Sequence, residues 1–219
     1  KKVNLQALRA ELRRVEAQRL TRLKAQVEEV ITKNPKLADV RSQIRLDLTP
    51  DGLRIQIVDD QNRPMFDLGS ATVKDYMRDL LREIGGVLNS VENRVSLSGH
   101  TDSSPYGSGE RGYSNWELSA DRANASRREL VAGGMNESKV VRVIGLGPSL
   151  MYDKDNPRNP MNRRIMIMVL NHDAEERVFQ GTEVDASDGS ELETALGGDD
   201  AGMRAHIDQP SPDGEAARR

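Results

Sequence analysis

The segment Ser98-Gly99-His100-Thr101-Asp102, followed after a small-residue loop by Asn115-Trp116-Glu117-Leu118-Ser119-Ala120-Asp121-Arg122-Ala123, holds the residues best suited to chemistry in this chain. Asp102 falls at the exit of an expected strand, where side chains commonly line a cleft. Arg122 falls inside the next expected helix. It is seven residues from Asn115, so at about 100° per residue the two are nearly aligned, with Ser119 close to the same face. An arginine presents a planar fork that matches a carboxylate in two parallel hydrogen bonds, and an aspartate accepts from an ammonium group. Held on two rigid elements, the pair would select a ligand carrying an amine and a carboxylate on one carbon. The competing reading is an internal Asp102–Arg122 salt bridge with no ligand, and spacing alone leaves both open.

His100 beside Asp102 and Ser103 invites a catalytic or metal reading. No H-E-x-x-H spacing, second ligand or Gly-x-Ser-x-Gly elbow accompanies it, and the other histidines, His172 and His206, fall in the C-terminal region. A structural histidine at a strand end is the expectation, with no metal and no cofactor. Asn162-Arg163-Arg164 opens the last strand. Successive strand residues face opposite ways, so one arginine can reach the cleft while the other meets solvent or a surface carboxylate. Two solvated arginines are the alternative. Gly145-Leu146-Gly147 lacks the following helix of a phosphate loop and reads as a turn. Met166 and Met168 read as core filler.

The elements that position these residues follow from periodicity. Leu5, Leu8, Leu12 and Val15, then Leu20, Leu23, Val27 and Val30, alternate steps of three and four, predicting a helix over 4–33 that ends at Asn34-Pro35. The step of five between Val15 and Leu20 argues against an uninterrupted coiled coil. The helix either packs on its own domain, or links that domain to something else or pairs with a second copy. Residues 44–48 and 53–57 alternate with period two around Thr49-Pro50-Asp51-Gly52, a β-hairpin. An amphipathic helix is expected over 71–89, where Gly85-Gly86 marks either an end or a close approach. Strands are expected at 94–98, 140–146 and 165–170, the last apolar throughout and so expected to be buried on both faces. Ser114-Asn115-Trp116-Glu117 fits a capping box, and its helix runs to Ala132 before Gly133-Gly134.

Composition bounds the rest. The 219 residues include 3% aromatics, and mean hydropathy is −0.66, low for a compact domain of that length. The net charge of −3 hides a gradient from a basic start to an acidic end. The early charges are mixed with acids on a helix, which argues for a solvated face and against nucleic acid. Cysteine is absent, removing disulfides and thiolate chemistry. No apolar run reaches the roughly 18 residues of a membrane helix. Neither an initiator Met nor a signal peptide precedes Lys1, so a fragment or processed form is expected. Three regions are expected: 1–42, a helical linker and dimerisation region; 43–172, an α+β domain in which helices cover a mixed β-sheet; and 173–219, a disordered acidic tail.

Four landmarks now stand in order: Gly99-His100-Thr101-Asp102, Asn115-x-x-Leu118-Ser119-x-x-Arg122-Ala123, Gly145-x-Gly147 and Asn162-Arg163-Arg164-Ile165. Over about residues 50–170 they resemble the OmpA-like C-terminal domain family. The resemblance implies an OmpA-like sandwich that binds the peptide stem of peptidoglycan non-covalently. Asp102 and Arg122 would hold the zwitterionic end of diaminopimelate, with Thr101, Asn115 and Arg163 as supporting contacts. The chain departs from the family pattern before Asn162, where Pro157 and Pro160 stand. More narrowly, Gly52–Ile57, Asn62–Phe66, Tyr113–Arg128 and the long loop Ser103–Gly112 resemble the flagellar stator members of that family. That implies a periplasmic, non-catalytic anchor of a single-pass inner-membrane protein, a preceding membrane segment, a MotA-type partner subunit and a homodimer. Other envelope anchors of the family, such as an outer-membrane lipoprotein or secretion-system component, are the alternative. A cell-wall hydrolase using His100 with Asp102 is a third reading.

Overall fold

The computed structural model describes residues 4–106 and 112–187. Two compact units divide the chain, Lys1–Glu175 and Glu176–Arg219. In the first unit, helix α1 (Leu5–Lys33) leads through a 3-10 segment (Pro35–Gln43) into strands β1 (Ile44–Thr49) and β2 (Gly52–Val58). Helix α2 (Asp75–Leu88), β3 (Val95–His100), α3 (Asn115–Ala132), β4 (Val140–Gly145) and β5 (Arg164–Leu170) follow. The strands form one sheet in the order β1-β2-β5-β3-β4. Only β3 and β4 are parallel, because α3 crosses between them, so the sheet is mixed and the fold is α+β as expected.

The helices cover one face of the sheet. Leu53, Ile55, Ile57, Leu97, Ile165, Ile167 and Val169 point into that layer and are at most 1% exposed. On β5 the alternate residues Met166 and Met168 are only half-buried. The second face of the strand is therefore only partly covered: Arg164 and Leu170 at its ends are buried while the middle is half open, and the unbroken apolar run reflects a central position between β2 and β3.

Both halves of α1 carry an apolar stripe, yet only the second is covered. Leu20, Leu23, Val27 and Ile31 are buried, whereas Leu5, Leu8, Leu12 and Val15 are 57%, 47%, 61% and 40% exposed. The five-residue step from Val15 to Leu20 turns the stripe by roughly 140°, so one straight helix cannot press both sets on the same surface. Val30, assigned to the stripe from sequence, is half-buried beside Ile31, which takes the inner position.

Helix α2 begins at Asp75, later than the pattern predicts, because Phe66 bridges Val73 and the Lys74 amide donates to Met65 O at 3.0 Å. It runs through Gly85-Gly86 to Leu88. A Cβ on Gly85 would lie 2.1 Å from Leu130 O of α3, so close approach is the reason for the glycine. A further helix, α4 (His172–Ser187), occupies the start of the region expected to be a disordered tail. Asn171 caps it by accepting from the Ala174 amide, a local signal that outweighs the polar composition behind it. The tail from 188 onward, with His206, and loop residues 107–111 lie outside the described residues.

Candidate functional site

Strand pairing brings three distant segments to one end of the sheet. Val58 and His100 both pair with Arg164, so the residues just beyond them, Asp59 on one side and Thr101-Asp102 on the other, flank Arg163. The Asp59 amide donates to Arg163 O at 2.9 Å, extending the ladder by one step. Helix α3 lies directly on the strand backbones. A Cβ on Gly99 would sit 2.0 Å from Ser119 O, and one on Gly145 would sit 2.6 Å from the Ala120 amide. The capping box at Ser114 and Glu117 fixes where α3 starts, so Asn115, Leu118 and Arg122 face the same opening. The segment from Pro64 to Lys74 closes the fourth side, leaving a cleft of about 810 Å³.

All five residues singled out from the sequence, Thr101, Asp102, Asn115, Arg122 and Arg163, line this cleft. The internal Asp102–Arg122 bridge is not formed. Asp102 instead accepts from Arg163 Nη1 at 2.6 Å and from the Ser104 amide at 2.8 Å. Arg163 also donates through Nε to Asp59 at 2.6 Å, and Asp59 accepts from the Met65 amide at 2.8 Å. One guanidinium thus serves two buried carboxylates. Burial works against the Arg163 charge, but the hydrogen bonds to Asp59 and Asp102 prevail and raise its pKa.

Arg122 is treated differently. Its Nε donates to Ser70 O at 2.9 Å and its Nη2 lies 3.5 Å from Asp67 O. Its guanidinium carbon sits 4.9 Å from the Phe66 ring centroid, a cation–π contact. Among the described residues no carboxylate forms an ion pair with it. Burial lowers its pKa, and the nearby Arg163 charge adds to that against the opposing pull of Asp59 and Asp102. Asp67, on the same rim, pairs with Lys74. Two further polar groups complete the walls. Thr101 Oγ1 is buried without a hydrogen-bond partner, and Asn115 Nδ2 donates to Ser104 O at 2.8 Å, bracing the loop that carries Asp102.

His100 belongs elsewhere. Gly99 faces α3, so His100 turns to the opposite face of the sheet, where its Nε2 meets Ser98 Oγ at 3.1 Å. Burial first, and the Arg164 charge second, push its pKa down to about 4. The Asp102–His100 pairing that a hydrolase would use is therefore not made. Arg164 also corrects an expectation. It is 7% exposed and donates to Leu150 O at 3.0 Å, so it meets neither solvent nor a carboxylate. The loop over 147–163 passes across this end of the sheet and supplies the carbonyl. Gly147 has φ +47° and forms a turn, as expected of Gly145-Leu146-Gly147. Among the described residues no cluster of His, Asp and Glu is placed to hold a metal, and no helix is long and apolar enough to cross a membrane.

Sequence reasoning missed Asp59, Phe66 and the Asp67–Lys74 pair. Asp59 opens a polar stretch, Asp59-Asp60-Gln61-Asn62, with no feature that sets it apart from its neighbours. Its significance depends on β2 lying beside β5, which no local pattern reveals.

The OmpA family model matches residues 65–164. Motility protein B of Escherichia coli strain K12 is 52% identical over 179 residues, covering 82% of this chain and 57% of the relative. The chain thus spans little more than half the length of that relative. A MotB-like protein of Desulfovibrio vulgaris shares the fold with a TM-score of 0.59 at 18% identity, over 74% of this chain and 99% of that one. The cell wall anchor of the type VI secretion system of Pseudomonas aeruginosa aligns with a TM-score of 0.50 at 26% identity, over 63% of this chain and 95% of that one.

Proposed function

This chain belongs to the OmpA family and is a homologue of motility protein B, and on that premise we propose that it is a non-catalytic anchor gripping the peptide stem of peptidoglycan. The observation that carries the reading is the division of charge across the cleft. On one wall, Asp59 and Asp102 share a single guanidinium and keep one negative charge between them. On the other, Arg122 is held by backbone carbonyls and an aromatic face, and among the described residues no carboxylate pairs with it. An amino acid head group satisfies both. Its ammonium is received by Asp102, its carboxylate by Arg122, and the idle Thr101 hydroxyl offers a further hydrogen bond. Asn115 and Arg163 hold the walls in place. Diaminopimelate, with a free zwitterionic end on its side chain, is the stem residue of that shape.

The anchor serves a flagellar stator in this reading. The chain is the periplasmic part of a single-pass inner-membrane protein and works with a MotA-type subunit. The exposed stripe of Leu5, Leu8, Leu12 and Val15 supports contact with a second copy through α1. Similarity to a secretion-system anchor favours a second assignment within the same mechanism. A deletion strain that still swims would select it over the stator.

The test is binding. Purified protein should sediment with isolated sacculi, and Asp102→Asn or Arg122→Ala should abolish this while leaving the circular dichroism spectrum unchanged. A tripeptide ending in diaminopimelate should bind, and one with lysine in its place should bind about tenfold or more weakly, because lysine offers Arg122 no carboxylate. Equal affinity for the two, or sedimentation retained in both variants, would overturn the clamp.

A further inference from the structure

Beside the cleft stands a group the clamp does not use. Trp116, the sole tryptophan of the chain, is 51% exposed although it belongs to the first turn of a well-packed helix. Its exposure is one-sided. A Cβ placed on Gly147 would lie 3.2, 3.3 and 3.5 Å from three indole atoms, Cδ2, Cε3 and Cε2, so one ring face rests on that glycine. Gly147 reaches this position through its left-handed φ of +47°, which favours glycine, and a side chain there would crowd the ring by a few tenths of an ångström. The turn is fixed from two directions: Ser119 Oγ accepts from the Gly147 amide at 2.9 Å, and Gly147 O accepts from the Thr101 amide at 3.0 Å. The indole is therefore a flat apolar plate on a rigid support, and about half of the residue is open to water.

We propose that Trp116 is a stacking platform for a sugar ring of the peptidoglycan strand, a subsite adjoining the cleft that takes the peptide stem; the proposal rests on the reading of that cleft given above. Three observations point to a sugar. The platform is continuous with the site, since Asn115 lines the cleft and Trp116 follows it about 100° further round α3. Gly147, beneath the ring, bonds Thr101, which lines the cleft as well. The chemistry also fits. A pyranose presents a face of polarised C–H groups, which the negative face of an indole attracts, and hydroxyls at its edge that need polar neighbours. The exposed α3 residues nearest in sequence and on the following turn, Glu117 and Asp121, are carboxylates, unlike the apolar centre of a protein interface. Reach fits too. Extended chain covers at most about 3.5 Å per residue, so a stem residue two or three links from the strand places its sugar roughly 10 Å away, and six residues of α3 at about 1.5 Å each set Trp116 roughly 9 Å along the helix axis from Arg122.

The single tryptophan supplies its own reporter. Full-length protein is titrated with a disaccharide-tripeptide containing diaminopimelate, with the tripeptide alone, and with glycan strands stripped of their stems. The disaccharide-tripeptide should shift Trp116 emission and bind about five- to thirtyfold tighter than the tripeptide, a difference of about 1–2 kcal/mol. Trp116→Ala should remove that advantage and leave tripeptide affinity unchanged, while Trp116→Phe should retain part of it. Equal affinity for the two ligands, or a Trp116→Ala loss that is the same for both, would overturn the platform. So would a variant that impairs swimming without altering either affinity, which would mark a protein partner instead. Failure of the tripeptide to bind would sink the clamp alone; the stem-free strands then judge the platform, which stands if they shift the emission and falls if they do not.

Discussion

Replacing Arg163 with methionine tests the claim that this residue holds the acidic wall together. Asp59 and Asp102 are 8% and 9% exposed at the side chain, and each lies 2.6 Å from the same guanidinium. Methionine keeps much of the volume and removes the charge, leaving two facing carboxylates with one backbone amide each. Taking one partner from a buried ion pair costs about 3–5 kcal/mol. Here Arg163 is 27% exposed, so water offsets part of the loss and about 3 kcal/mol is the expected figure at neutral pH. With a urea dependence of about 2 kcal/mol per molar, the unfolding midpoint should fall by about 1.5 M. The loss should depend on pH in a stated direction. Two unshielded carboxylates cannot both ionise cheaply, so one acquires a pKa above its unfolded value. Such a group destabilises the folded state where it is charged in the unfolded chain, and the penalty shrinks as pH falls through the raised pKa. The deficit at pH 5 should therefore be smaller than at pH 7, and Asp59→Asn in the Arg163→Met background should restore part of the stability at pH 7. A midpoint shift under about 0.4 M, or one identical at both pH values, would refute the reasoning.

Two other outcomes follow from the packing. Gly85→Ala should cost at least about 2 kcal/mol by urea denaturation despite its better helix propensity, because the new methyl meets Leu130 O at 2.1 Å and two helix backbones must separate. His100 has a pKa of about 4 in the fold against about 6.5 when unfolded, so stability should be full above pH 6.5 and fall by up to about 3 kcal/mol as pH drops to 4; His100→Gln should flatten that slope between the two values.

What the sequence reveals and what it withholds divide along one line. Signals carried within a single element read out well: the hairpin at Thr49-Pro50-Asp51-Gly52, the capping box at Ser114 and Glu117, and the stripe of Leu20, Leu23 and Val27 all form where their spacing places them. Even the break in α1 follows from one step of five residues. Features that depend on which elements become neighbours do not. Gly85-Gly86 left two explanations open, and only the position of Leu130, 45 residues on, decides between them. The apolar run of β5 suggested cover on both faces, but a strand flanked by two others can be apolar with one face half open. Asp59 is the clearest case. Its partner Arg163 lies 104 residues away, and nothing near either residue announces the meeting.

That pairing also explains why the cleft can discriminate by charge pattern instead of by charge. Arg163 does not face a ligand with an unshared positive charge, because Asp59 and Asp102 already claim it. Lys74 is likewise occupied by Asp67. What is left to an incoming molecule is a surplus negative charge at one wall and, at the other, the Arg122 charge that no carboxylate among the described residues claims. A simple cation entering the cleft would meet Arg122, and a simple anion would meet Asp102. Either would lose water for a site that repels it on one side, whereas a molecule carrying both charges one carbon apart gains on both. Had Arg163 been absent, the acidic wall would carry two charges and favour plain cations. Had Arg122 been bonded to Asp102, neither charge would be free. The two contacts of Arg163, with Asp59 and with Asp102, are thus what turn two common residues into a selective pair.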